Sequence, residues 1–167
     1  MSYSVTLKAA TRAATRAAIA TGMTIGACAS FAAPLPAGWT STGNAGTNTA
    51  ADGVVTLAPG FDSYQWVSSE DGVDDGGDLP VAGDLVGNET NGSQASTPIF
   101  DYLAGDDLNF FFNYITSDGS SSFTDYAWAA LFTESGAFDR YIFTARTTPE
   151  GDTVPGFGLP PLGAGAS

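Results

Sequence analysis

The 167-residue chain contains no histidine and a single cysteine, Cys28, and its one lysine is Lys8. Without histidine it lacks the usual general base and the commonest transition-metal ligand. A serine or cysteine triad that uses histidine is therefore excluded. One cysteine cannot form an internal disulfide, so the fold depends on its hydrophobic core, on a metal or on partners. Carboxylates remain the only plausible catalytic groups.

The charges are segregated along the chain. Three of the five basic residues, Lys8, Arg12 and Arg16, lie near the start, whereas all 18 acidic residues lie from Asp52 onward. An apolar stretch over residues 17–29 follows the basic start and leads into small residues. This layout is typical of a secretory signal peptide. We therefore predict a helical signal peptide over residues 1–32 and a secreted, extracellular bacterial protein.

The end of this leader allows more than one interpretation. Small residues permit cleavage after Ala29 or after Ala32. Residues 25–28 resemble a bacterial lipobox, in which case Cys28 would be lipidated and would anchor a lipoprotein. A cytosolic amphipathic helix over residues 5–20 is a further alternative, but it leaves the small-residue boundary unexplained. The apolar stretch is shorter than the roughly 20 residues of a transmembrane helix, so we predict no transmembrane segment in the mature chain.

The predicted mature part is strongly acidic. It retains two basic residues, Arg140 and Arg146, against all 18 acidic residues, a net charge of −16. It also has no lysine, which excludes Schiff-base chemistry. Such a charge favours solubility and repels nucleic acid and anionic membranes, so we expect no nucleic-acid partner. Crowded carboxylates repel one another, and divalent cations or high external salt would relieve that repulsion.

Short aromatic or β-branched runs, separated by glycine and small polar residues, predict an all-β fold. A first strand opens at residues 38–40, a loop leads to Asp52, and residues 70–91 form a long acidic loop. The further predicted strands are residues 54–57, 64–68, 94–102, 108–116, 126–133 and 140–147. The last three follow one another as an antiparallel meander. Residues 108–116 are the strongest of them, because apolar side chains on both faces suit a central strand.

The predicted organisation has three parts. Residues 1–32 are the signal peptide and residues 34–148 are a β-sandwich domain. Residues 149–167 are rich in proline and glycine and form a loop or linker.

Two strings carry a resemblance to a known family: FNYITSDG at residues 112–119 and DYAWAAL at residues 125–131. With shorter strings such as DGVVTL at residues 52–57, they resemble uncharacterised exported bacterial proteins that commonly carry a PEP-CTERM sorting signal. The resemblance implies an antiparallel jelly-roll-like β-sandwich and an extracellular or exopolysaccharide-associated location. It covers the N-terminal half of such proteins, and the chain ends at Ser167 without the sorting signal. We therefore expect an incomplete sandwich with an open edge.

Calcium is the sharpest hypothesis for a site. Asn113, Asp118 and Asp125 lie where one predicted strand ends, turns and the next begins, so their oxygens could converge on Ca²⁺. The alternative is that Asp118 forms an Asx-turn with Gly119 and that Asp125 bonds backbone N–H groups.

Other candidate sites are less specific. The acidic run 70–78 also invites a calcium interpretation, but it lacks the spacing of an EF-hand loop, which favours a solvated loop. Trp39, Trp66 and Trp128 could stack on sugars, although at strand spacing they suit a core. Arg146 could pair with an acid or meet an anionic polysaccharide.

These observations lead to three functional hypotheses. The first is a secreted, non-enzymatic structural or adhesion module of the extracellular space or cell surface, stabilised by calcium. The alternative is a carbohydrate-binding module of the exopolysaccharide matrix, and the second alternative is a carboxylate-dependent glycoside hydrolase. Expected partners are an extracellular polysaccharide, another matrix protein, or a second copy that associates through the open sheet edge.

Overall fold

The structure is a computed structural model that describes residues 2–11, 33–74, 91–101, 103, 105–116, 125–147, 153–155 and 162–163. Across these residues the protein is all-β, with nine strands and no helix. The strands are β1 (Ser2–Thr11), β2 (Thr40–Thr42), β3 (Asn44–Asn48), β4 (Tyr64–Ser68), β5 (Asn91–Ser96), β6 (Phe100–Asp101), β7 (Asp125–Thr133), β8 (Phe138–Thr147) and β9 (Thr153–Pro155). The predicted all-β class is confirmed.

The strands form two antiparallel sheets. Seven strands make one sheet in the order β2-β5-β1-β7-β8-β9, with β6 beside β1, and β3 pairs with β4 in a separate ribbon. Every pairing between named strands is antiparallel. The antiparallel arrangement is therefore confirmed, while the jelly-roll topology remains a prediction.

The core lies on one face of the ribbon formed by β7 and β8. Tyr126, Trp128 and Ala130 alternate along β7 and are buried, as is Tyr141 on β8. The rings of Trp128 and Tyr141 meet edge to face with centroids 5.8 Å apart. Phe132 and Phe138 extend this cluster at the turn. The sequence predicted both of these strands.

The helical prediction for the start of the chain is wrong for residues 2–11. These residues form β1, which pairs with β7 on one side and with β5 on the other. Pairing along both edges outweighs the weak helix preference of an Ala- and Thr-containing segment, because strand formation depends on partners more than on intrinsic propensity. Residues 12–32, which complete the predicted leader, lie outside the described residues.

The prediction of a strand at residues 108–116 is also wrong. Residues 106–116 form no strand, because β1 takes the place beside β7 that the meander assigned to them. Only the β7–β8 part of the meander is present.

Smaller differences have local causes. Residues 54–57 form no strand, because Asp52 and Val55 exchange backbone hydrogen bonds across a turn. The predicted strand 94–102 is divided into β5 and β6 around Pro98, whose nitrogen cannot donate a hydrogen bond to a neighbour. β3 lies in a predicted loop, and β9 lies in the predicted tail, where it pairs with β8.

No helix in the described part of the chain is long and apolar enough to cross a membrane.

Candidate functional site

Residues 106–116, here named the aromatic segment, lie against the face of the β7–β8 ribbon that is opposite the Trp128 core. Ala129 pairs directly with Phe143, so these two share a face, and that face alternates with the one that carries Trp128. Phe112 stacks on Phe143 with ring centroids 4.8 Å apart and an interplanar angle of 12°. Two residues further on, the hydroxyl of Tyr114 lies 3.3 Å from Thr147 Oγ1.

Asp125, the first residue of β7, lies at the end of this segment. Thr116 Oγ1 donates a hydrogen bond of 2.6 Å to Asp125 Oδ2. The other carboxylate oxygen, Oδ1, is buried and has no hydrogen-bond partner among the described residues. A buried polar atom without a partner costs about 1–3 kcal/mol. The carboxylate of Asp125 is therefore a place where a ligand would add stability.

The phenol of Tyr114 reports the same environment. Its pKa is raised from 10.0 to about 12, chiefly because burial disfavours the phenolate and also because the carboxylate of Asp125 repels it. The hydrogen bond with Thr147 lowers the pKa and offsets part of this effect. Tyr114 is therefore neutral at ordinary pH. We call Tyr114, Thr116, Asp125 and Thr147 the Asp125 cluster.

The structure describes two of the three residues predicted to bind calcium. Asn113 is exposed and stands in the aromatic segment next to Tyr114, and Asp125 is partly buried at the start of β7. Asp118 lies outside the described residues. Within the described part of the chain, no group of three or more His, Cys, Asp or Glu residues is placed to hold a metal. The calcium site thus stays a prediction, built on Asp125 and the segment beside it.

A second polar group surrounds Asn48 on the β3–β4 ribbon. Trp66 Nε1 donates to Asn48 Oδ1 at 3.2 Å, and Asn48 Nδ2 donates to the Tyr64 hydroxyl at 2.8 Å. The same amide nitrogen lies 3.4 Å from Asp52 Oδ2. We call this arrangement the Asn48 network. Sequence reasoning missed Asn48, because residues 41–51 read as a loop.

A hydrogen bond joins β3 to β5. The backbone N–H of Asn44 donates to Ser93 Oγ at 2.7 Å, and Ser93 is fully buried. Gly43 precedes this contact with φ of +75°, and a Cβ atom there would overlap Ser93 Oγ. Only glycine fits both the left-handed backbone and the close approach. The Asn48 network is therefore held at a defined place beside the larger sheet.

The three tryptophans divide between core and partial exposure. Trp128 is 1% exposed and belongs to the core, whereas Trp39 and Trp66 are half-buried. The core interpretation is thus confirmed for Trp128. Trp66 is half-buried beside Asn48, whose side-chain oxygen accepts its indole N–H.

The two arginines of the predicted mature part lie on β8. Arg140 Nε forms an ion pair of 2.7 Å with its neighbour Asp139. Arg146 is partly buried and lies opposite Tyr126 in the β7–β8 ribbon. In the acidic run, Glu70 accepts a hydrogen bond of 2.9 Å from the Asn44 side chain through its backbone oxygen. Residues 75–78 of that run lie outside the described residues.

The aromatic segment also exposes large apolar side chains. Phe111 is 62% exposed, and its ring meets Phe61, itself 57% exposed, with centroids 5.8 Å apart. Leu108, Phe110 and Ile115 are exposed as well. Groups of exposed apolar side chains are a common mark of interaction surfaces.

The chain matches no protein-family model, and no curated protein or solved structure matches it significantly.

Proposed function

We propose that this protein is an exported, non-enzymatic structural or adhesion module of the cell exterior, stabilised by calcium at the Asp125 cluster. Residues 1–32 act as the leader, with cleavage after Ala29 or Ala32, and lipidation at Cys28 is the alternative fate of the N-terminus. The rest forms an antiparallel jelly-roll-like sandwich. The observation that carries the proposal is the carboxylate of Asp125, which has one oxygen bonded to Thr116 and the other buried without a partner in the described chain.

The charge balance supports a cation at this place. The chain has 18 acidic and five basic residues, so carboxylates repel one another and a bound divalent cation lowers that repulsion. Ca²⁺ takes six to eight oxygen ligands from carboxylates, amides, backbone carbonyls and water. Asp125 Oδ1 would supply one ligand. Asn113 and Asp118 come from the chain on either side of Thr116 and would supply others.

Thermal unfolding of the purified full chain tests the calcium proposal. We expect a midpoint several degrees higher in excess CaCl₂ than in EDTA at matched ionic strength, and no such rise with MgCl₂. Asp125→Asn should abolish the difference. Asp62→Asn is the matched control, because Asp62 is an exposed acid that is not part of the Asp125 cluster, and it should retain the full calcium response.

Two outcomes would contradict the calcium proposal. One is a cooperative transition in the wild-type chain with the same midpoint in calcium and in EDTA. The other is an equal loss of the calcium response in both variants, which would mean that calcium acts on the overall negative charge and not on a defined site.

The Asn48 network supports a carbohydrate-binding module of the exopolysaccharide matrix as the alternative function. Tyr64 and Trp66 present half-buried aromatic rings beside an amide and the exposed carboxylate of Asp52. Sugar sites combine an aromatic face with a few orienting polar groups.

Affinity electrophoresis in gels that contain a neutral or an anionic polysaccharide tests this alternative. Trp66→Ala should remove any retardation, whereas Trp39→Ala, at a half-buried tryptophan outside the network, should not. Identical mobility of the wild-type chain with and without either polysaccharide would contradict it.

A further inference from the structure

Strand β1 occupies a slot in the middle of the seven-stranded sheet, between β5 and β7. Nine of its residues pair with β7 and six pair with β5. All of β1 lies within the leader that we propose is removed on export, so this inference rests on the proposed function. Removal of the leader would leave two unpaired strand edges facing one another. Buried backbone groups without partners are costly, and open edges invite another strand.

Residues 108–116 of the aromatic segment have the properties that this slot requires. They are nine residues long, the same number that β1 pairs with β7. Their apolar side chains occur on both faces, which suits a strand covered on both sides. In this structure they form no strand, and several of their large apolar side chains face solvent. The aromatic segment therefore has a strand-favouring sequence but no strand partner, while β1 of the proposed leader occupies the position between β5 and β7.

The chain order supplies the correct direction. β5 and β7 are both antiparallel to β1, so they run parallel to one another. The aromatic segment lies between β6 and β7 in sequence. If the chain reverses after β6, the aromatic segment can run between β5 and β7 in the direction of β1. It is then antiparallel to both β5 and β7. Six residues precede position 108 and eight follow position 116 before the next strand, lengths that compact domains use for connections.

The register follows from a contact that already exists. Thr116 is hydrogen-bonded to Asp125, and placing these two residues opposite one another aligns residues 108–116 with all nine residues of β7. Phe112 then lies opposite Ala129, which pairs with Phe143. Phe112 already stacks on Phe143, so its side chain keeps the same face of the sheet. The exchange needs a lateral movement of the segment and no reversal of its faces.

We propose that residues 108–116 replace β1 between β5 and β7 once the leader has been removed. The leader strand holds the sheet together while the chain is unprocessed and keeps the aromatic segment outside it. Cleavage then completes the meander of β5, residues 108–116, β7 and β8, and it buries the exposed apolar groups of the segment. Completion of the fold is thereby coupled to export.

A cysteine pair, Gln94→Cys with Asn113→Cys, tests the exchange in the full chain with Cys28→Ser as background. In the inferred register Gln94 lies opposite Asn113, whereas in this structure it lies opposite Lys8. Directly opposite Cα atoms in an antiparallel pair are about 4.5–5.5 Å apart, within the Cα separation that a disulfide spans, so mild oxidation can join the two cysteines. The leader-retaining chain is compared with the chain exported and processed by a secreting host. The matched control is Gln94→Cys with Asn109→Cys, four residues out of register.

We expect a disulfide within one chain, at least tenfold more abundant in the processed protein than in the leader-retaining protein or in the control pair. Absence of the disulfide from the processed chain overturns the exchange, as does equal formation in the leader-retaining chain. A disulfide between two chains overturns it in favour of strand exchange between copies. Intact-mass measurement shows whether the leader was cleaved, and so distinguishes failure of the export proposal from failure of the exchange alone. An uncleaved leader overturns the export proposal and the exchange together, whereas a cleaved chain without the disulfide overturns the exchange alone.

Discussion

The β7–β8 ribbon and the aromatic segment have similar sequences and opposite surroundings. Both are rich in aromatic and aliphatic residues that favour strands. In the ribbon, Tyr126 and Trp128 are 1% exposed. In the segment, Phe111 is 62% exposed and no neighbouring strand pairs with the backbone. The difference between the two regions is therefore one of partners and not of composition.

This comparison teaches that a strand-favouring sequence specifies what a strand can bury but not where it pairs. β7 and β8 are joined by a turn of four residues, so each is the nearest partner of the other. A short connection loses little chain entropy when its two strands pair. The aromatic segment competes for the other edge of β7 with β1, a strand more than 100 residues away in sequence. Which of two strands takes an edge depends on non-local competition.

We expect the largest loss of unfolding free energy from Trp128→Ala in the β7–β8 ribbon. Trp128 is fully buried and packs edge to face on Tyr141, so its truncation leaves a cavity that the sheet cannot close. We expect a loss of about 3–5 kcal/mol of unfolding free energy. Urea denaturation followed by circular dichroism measures it. Trp39→Ala, at a half-buried tryptophan, is the control and should cost less. Equal losses for the two variants would mean that the ribbon is not the principal core.

Smaller effects are expected within the aromatic segment, at Phe112 and Phe111. Phe112→Ala removes a ring stacked on Phe143 and should cost about 1–2 kcal/mol in the leader-retaining chain. Phe111→Ala, at an exposed ring, should stay within about 0.5 kcal/mol there. The same denaturation experiment measures both. In the processed chain the cost of Phe111→Ala should rise towards that of Phe112→Ala, because both rings then lie in a paired strand. If the loss of unfolding free energy caused by Phe111→Ala were the same before and after processing, the aromatic segment would not join β7 in the sheet.

The sequence predicted the parts of the fold that depend on near neighbours. Residues 64–68 form β4 with the predicted bounds, and β7 and β8 match within two residues. It did not predict β3, because Asn, Ala, Gly and Thr have a low or mixed preference for strands and this one forms through pairing with β4. Residues 54–57 show the reverse case, since Val54 and Val55 favour a strand but follow Gly53, whose φ of +56° turns the chain.

The candidate sites divide in the same way. Asp125 could be predicted, because its place at the start of a strong strand after a turn follows from local pattern alone. Asn48 could not, because its importance depends on the register that sets Tyr64 directly across the ribbon from it. The partnerless oxygen of Asp125 also could not be predicted, because a local sequence pattern does not show which side-chain atoms become buried by distant parts of the chain.

An effect confined to alkaline pH concerns Tyr114, the residue of the aromatic segment that contacts Thr147 of β8. Its pKa is about 12 in the folded chain against 10.0 for an exposed tyrosine. Below pH 10 the phenol is neutral in both the folded and unfolded chains, so its contribution to stability is fully present. As the pH rises from 10 to 12 the unfolded chain ionises first, and that contribution is lost. The wild-type chain should therefore lose more unfolding free energy across this interval than Tyr114→Phe does.

Spectrophotometric titration of tyrosinate absorbance checks the same pKa directly. A phenol that ionises near pH 12 in the wild-type chain should be missing from Tyr114→Phe. In Asp125→Asn this phenol should ionise at lower pH, because the negative charge that repels the phenolate has been removed. If Asp125→Asn left the titration unchanged, Tyr114 and Asp125 would not share an environment. The contact that fixes the register of the aromatic segment beside β7 would then lose its support.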